Sequence, residues 1–171
     1  MASKSKTKGA TWEREFANFL GELYGEKFVR VPNSGAFVGG SNSVRKAGLD
    51  AGQIQSFKGD IMPPSSWIHF NCECKNYKEF PFHQLPSGTV SILEKWISQC
   101  CEAAEPNDFS FVVIKITRKG TYILAPQHPS INPGSHYFSY RSSNHGSWYL
   151  LDYKLFWNLN KEVVKSLSSV V

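Results

Sequence analysis

Trp67-Ile68-His69-Phe70-Asn71-Cys72-Glu73-Cys74-Lys75 carries a period of two, with Ile68, Phe70, Cys72 and Cys74 on one face and His69, Asn71, Glu73 and Lys75 on the other. Successive side chains of a β-strand leave opposite faces, so this run predicts a strand whose cysteines turn into a core. Glu73 and Lys75 then leave the other face together, about 7 Å apart along the backbone. Upstream, Lys58-Gly59-Asp60-Ile61 predicts a short strand-like segment, in which Gly59 permits close backbone approach and Asp60 can meet Glu73 across neighbouring strands. Two carboxylates and an ammonium would share one pocket. Carboxylate oxygens suit Mg²⁺, which takes one or two protein carboxylates beside substrate phosphate oxygens, so such a site points to phosphodiester chemistry.

Helices are expected on either side of this centre. Trp12, Phe16, Phe19, Leu20 and Leu23 fall on helical spacing and predict an amphipathic helix over Thr11–Tyr24, stopped by Gly25. Lys27–Val31 reads as a short strand ended by Pro32-Asn33-Ser34-Gly35. The Gly/Ser-rich stretch over residues 35–57, with Arg45 and Lys46, has too few large apolar residues for a core of its own and reads as an inserted mobile basic loop. A second helix is predicted over Thr89–Glu105, with Val90, Leu93, Ile97, Cys100 and Ala104 on its buried stripe. A hairpin follows, Phe109–Thr117 and Thr121–Ala125 about an Arg118-Lys119-Gly120 turn. Pro126–Gly146 reads as a long loop, Trp148–Leu151 as a strand, and Asp152 as the cap of a final helix. This order predicts a single α/β domain, a mixed sheet flanked by helices, with residues 1–8 as a basic tail.

Composition bounds the function. The 171 residues are 41% hydrophobic and 19% charged, which excludes disorder for most of the chain. Nineteen Lys and Arg against fourteen Asp and Glu leave +5, which favours a polyanionic partner without demanding one. No apolar run approaches the roughly 18 residues that span a bilayer, so no membrane partner is expected and the protein is expected in the cytoplasm of the cell or infected host. Neither Cys72/Cys74 nor Cys100/Cys101 has zinc-site spacing, and free cysteine commonly packs in cores.

Four motifs in order, Lys8-Gly9-Ala10-x-x-Glu13-Arg14-Glu15-Phe16, Arg30-Val31-Pro32-Asn33-Ser34-Gly35, Gly59-Asp60-Ile61 and Cys72-Glu73-Cys74-Lys75, resemble those of archaeal-type Holliday junction resolvases within the PD-(D/E)xK nuclease superfamily. The resemblance implies a restriction-endonuclease-like fold, Mg²⁺-dependent DNA cleavage with Mn²⁺ as substitute, and a homodimer that nicks a four-way junction symmetrically. It implies Glu13, Asp60 and Glu73 as the metal-site acids, Lys75 as the catalytic lysine, Ser34 as the serine of a flexible loop and Arg30 as a basic residue near the substrate backbone. The chain departs from the pattern in the long separation of Ser34 from Asp60, and in Gly59 where a Pro usually precedes the Asp; Asp50, in the insertion, is the alternative to Asp60.

Lys4, Lys6, Lys8 and Arg14 are candidates for phosphate contact near the first helix, and Arg45 and Lys46 for a DNA-ordering flap. Gln99 lies on the helix after the lysine motif, where the resemblance allows a polar residue at the site, but it reads first as solvent-facing; His69 shares the Glu73 face as a lesser candidate for substrate contact, and Trp96, Trp148, Tyr149, Phe156 and Trp157 read as core. Lowering a lysine from about 10.4 to about 7 takes roughly 4 to 5 kcal/mol, and adjacent carboxylates act the other way, so Lys75 is expected to work as a positioned cation rather than a base. The leading expectation is a junction resolvase. The rivals are a sequence-specific restriction-type endonuclease and a catalytically silent DNA-binding module on the same fold.

Overall fold

The computed structural model describes residues 4–32 and 58–169. A five-stranded mixed sheet has the order β3-β4-β5-β7-β6, built from β3 (Phe70–Tyr77), β4 (Phe109–Ile116), β5 (Gly120–Pro126), β6 (Tyr137–Arg141) and β7 (Ser147–Asp152). Only β3 and β4 pair in parallel, with Glu73 opposite Val112 and Lys75 opposite Ile114; the other pairs are antiparallel. A parallel pair needs a crossover. Here it contains α2 (Ser91–Glu102). β1 (Val29–Arg30) and β2 (Ile61–Met62) form a separate antiparallel pair beside β3.

Both faces of the sheet are covered. Trp12, Phe16 and Leu20, spaced by four on α1 (Lys4–Tyr24), pack with Phe156, Trp157 and Val164 of α3 (Tyr153–Ser168) against Phe70, Cys72, Phe111 and Val113. On the other face Leu93, Trp96, Ile97 and Cys100 of α2 pack on Val112, Ile114, Leu124 and Leu150. Central β4 therefore has almost no solvent face and reads as a continuous apolar run. This is a mixed α/β domain with a sheet flanked by helices, as the sequence pattern predicts, and it is consistent with the restriction-endonuclease-like fold that the resemblance implies.

Local chemistry sets the element ends. Gly25, at φ +65°, stops α1 and donates its N–H to the Gly21 carbonyl. Asp152 caps α3 by accepting from the Leu155 N–H at 2.9 Å, as expected.

Three expectations are corrected. The first helix begins at Lys4, inside the stretch read as a basic tail, because charged residues extend a helix without needing a core. The second is shorter, Ser91–Glu102, with Val90 as its N-cap residue. The stretch read as a loop over Pro126–Gly146 contains β6, a five-residue edge strand whose aromatics Tyr137, Phe138 and Tyr140 are strand formers but are set among Pro, Gly, Ser and His residues that read as loop. All four cysteines are free; Cys72 and Cys100 are buried in the core and Cys74 and Cys101 half-buried.

Candidate active site

β3 is an edge strand of the main sheet, and Lys58-Gly59-Asp60 lies along its free edge. The Asp60 N–H donates to the Cys72 carbonyl at 2.8 Å, and the Asp60 carboxylate accepts the Cys74 N–H at 2.7 Å. Gly59 makes this approach possible: its φ is +67°, and a Cβ there would stand 2.5 Å from the Cys72 carbonyl oxygen. Lys58 fastens the segment from behind. It is 3% exposed, and its ammonium bonds the Ile68 carbonyl at 2.9 Å and the buried Asp108 carboxylate at 2.8 Å. The Asp60 carbonyl accepts from Val31 N–H, which ties in the β1 end.

Asp60 and Glu73, each 7% exposed, are thereby brought together. Burial first, and the neighbouring Asp60 carboxylate second, push Glu73 up to about 7, outweighing the attraction of Lys75. Lys75 donates to Glu73 Oε2 at 3.0 Å and to Gln99 Oε1 of α2 at 2.9 Å. Burial disfavours its charged form, yet Glu73 and then Asp60 hold the ammonium above its ordinary range. Lys75 is a fixed cation in this geometry.

Glu13, on α1, approaches from the other helical layer. Burial and the Asp60 carboxylate raise it, while a short ion pair with Arg30 and the field of Arg14 pull it back. Arg30 is therefore engaged with Glu13. Lys8, expected to meet phosphate, donates to Thr117 Oγ1. His69 lies before β3 with its ring nitrogen 3.6 Å from Asp108; the aromatics Trp96, Trp148, Phe156 and Trp157 are core, as expected, while Tyr149, expected with them, is only half-buried against it. Ser34, Arg45, Lys46 and the alternative Asp50 lie outside the described residues.

Two partners carry more weight than the sequence pattern assigns them. Gln99 is exposed, as expected, but it reaches Lys75, the lesser of its two readings. Lys58 directly precedes Gly59-Asp60, but its partner Asp108 lies on a distant segment.

The donor set suits a hard divalent cation. Two buried carboxylates repel each other, and a single ammonium offsets them. Among the described residues no group of three or more His, Cys, Asp or Glu side chains is gathered as a metal cluster. The three acids expected to share a metal site are thus not gathered as one: Glu13 is held by Arg30, which leaves Asp60 and Glu73, and Mg²⁺ takes one or two protein carboxylates. The described residues also include no helix long and apolar enough to cross a membrane.

Residues 4–148 match the family described as "Phage putative PDDEXK endonuclease". The chain is similar to Protein D14 of Escherichia phage T5, with 29% identity over 129 residues, covering 73% of this chain and 72% of the phage protein. No solved structure matches it.

Proposed function

Because the chain belongs to the phage PD-(D/E)xK endonuclease family, we propose that it is a divalent-metal-dependent DNA endonuclease selective for branched DNA, a resolvase that places paired nicks in four-way junctions as a homodimer. The observation that carries the nuclease reading is the convergence of Asp60, Glu73 and Lys75 at the free edge of β3. The junction preference is supported by the ordered motifs from Lys8 to Lys75. A homodimer would supply two equivalent sites to a nearly two-fold substrate.

Asp60 and Glu73 are the residues that would hold Mg²⁺ or Mn²⁺, with Glu13 reaching it through water. Such an ion, when bound, lowers the pKa of a water and neutralises charge on the phosphate. The chain's own residues do the rest. The Cys74 N–H fixes the orientation of Asp60, so the site needs little rearrangement to accept a cation. Lys75, held protonated by its carboxylate neighbours and aimed by Gln99, places an N–H beside the reacting phosphate and offsets negative charge as it develops. Because Lys75 stays charged, it orients the attacking water rather than taking its proton.

The test is incubation with end-labelled duplex, flap and immobile four-way junction DNA, each with and without Mg²⁺. Paired nicks confined to the junction are expected. Cuts at a fixed sequence in plain duplex would replace the resolvase by a restriction-type enzyme, and intact DNA in every lane would leave only a binding module.

A further inference from the structure

A groove of about 470 Å³ opens between the first half of α1 and the β4–β5 turn. Trp12 and Ile116 give it an apolar floor, while Lys8, Lys115 and Arg118 stand around it against one carboxylate, Glu15. Lys115 is partly neutralised, paired with Glu15 at 2.6 Å and with its ammonium 4.9 Å from the Trp12 ring centre. The Lys8 ammonium donates to a neutral hydroxyl, that of Thr117, so the excess positive charge falls on Lys8 and Arg118.

Arg118 is fixed in an uncommon backbone state. Its φ is +61°, the left-handed region that L side chains other than Asn and Asp rarely enter. The turn around it is bonded on both sides: Lys119 N–H to the Ile116 carbonyl at 3.0 Å, and Thr117 N–H to the Tyr77 carbonyl at 2.9 Å. The guanidinium thus projects from a braced hairpin end, and strained backbone of this kind clusters at binding sites. The groove lies one residue along β3 from the active site, on the α1 face of the strand, whereas Lys75 leaves the α2 face toward Gln99. Asn76 lines the groove, follows Lys75 directly, and donates to the Lys8 carbonyl at 3.2 Å.

We propose that this groove holds the backbone phosphates of the DNA strand running on from the scissile position, with Lys8 and Arg118 as the principal contacts. The proposal rests on the nuclease reading and extends it by giving the strand a path across the end of β3 and the β4–β5 turn. An open groove rimmed by cations from two separate elements suits a passing polyanion better than an enclosed small anion. The contacts are to phosphate, so they carry no sequence information and are lost as salt rises.

The test is fluorescence-anisotropy binding of labelled duplex and four-way junction to the full chain in EDTA, across a KCl series. In K8A and R118A the slope of log affinity against log salt should each fall by about 0.9, with affinity reduced several-fold on every DNA sequence. Lys154→Ala, an exposed lysine of α3 outside the groove, should leave the slope alone. R118G removes the charge yet suits the left-handed backbone, so it should keep the thermal midpoint while losing the same slope. At matched ionic strength, inorganic phosphate should displace the DNA no more than KCl does. Unchanged slopes in K8A and R118A, or no DNA binding at all, would overturn the groove. If the slopes fall as stated but no DNA is cut with Mg²⁺ or Mn²⁺, the groove stands and the nuclease reading fails; if DNA is cut and the slopes are unchanged, the nuclease reading stands and the groove fails.

Discussion

At Gly59 two demands coincide: a left-handed φ of +67°, and a Cys72 carbonyl oxygen that would lie 2.5 Å from any Cβ. Neither can be met by another residue without moving Asp60 away from the edge of β3. Gly59→Ala should therefore destabilise the fold by roughly 2–5 kcal/mol, the left-handed cost of about 1–2 plus an overpacking cost of about 1–3. Urea unfolding measures this, and a variant as stable as the wild type would show that the segment has room to shift. Lys75 makes the contrasting case. Its ammonium bonds Glu73 and Gln99 and is 13% exposed at the side chain. Truncating it removes a positioned charge from the reaction without touching the DNA groove. K75A should lose cleavage by at least about 100-fold, the loss typical of removing one preorganised electrostatic group, while DNA affinity changes little. Wild-type turnover by K75A would take the lysine out of the mechanism.

At the scale of elements, α2 covers Glu73 and presents Gln99 to Lys75, so whatever seats α2 also seats the site. One seat is Glu94, in its first turn. The Glu94 carboxylate accepts from Tyr140 Oη at 2.6 Å, Ser142 Oγ at 2.9 Å and the Ser143 N–H, tying α2 to β6 and the turn after it. Partial burial pushes Glu94 upward, but these hydrogen bonds outweigh it and hold the carboxyl below its ordinary 4.5. A carboxyl lowered by folding gives stability that is present above its unfolded value and lost as pH falls through its folded one. Glu94→Gln should therefore cost about 1–3 kcal/mol at neutral pH, from weakened bonds to a charged acceptor. The gap to the wild type should close below 4.5; a gap that stays constant down to acid pH would show that the carboxylate charge has no part in seating α2. Legibility follows the same physics. The alternation read over Trp67–Lys75 and the spacing of Trp12, Phe16 and Leu20 are local patterns that reveal β3 and α1, although β3 starts at Phe70 and Ile68, read as core-facing, is 40% exposed; Gly59-Asp60 beside that strand adds the meeting of Asp60 with Glu73. β6 is hidden because its run of five, with Tyr137, Phe138 and Tyr140, is short and is framed by Pro, Gly and Ser residues that signal turns. The weight of Gln99 and of the Lys58–Asp108 pair is hidden because it lies in contacts 24 and 50 residues apart, which no local period encodes.

At the scale of the whole molecule, a chain of net charge +5 keeps two repelling carboxylates buried at one sheet edge. That arrangement weakens the folded state unless a cation relieves it, because burial and Asp60 together push the Glu73 pKa up to about 7. A divalent ion that binds the folded chain and not the unfolded one should therefore stabilise the entire domain. At 100 times its Kd the gain is about 2.7 kcal/mol. For a domain of this size each kcal/mol moves the thermal midpoint by about 2–4 °C. Saturating Mn²⁺ or Mg²⁺ should accordingly raise Tm by roughly 5–10 °C over the EDTA value. Asp60→Asn and Glu73→Gln should each abolish that rise. Glu73→Gln should also leave the metal-free protein at least as stable as the wild type, since it removes the repulsion while keeping a hydrogen-bonding side chain. Calorimetry with and without metal decides the matter independently of any cleavage assay. A Tm indifferent to both cations, or a rise that survives both substitutions, would mean that Asp60 and Glu73 do not hold a metal in this fold.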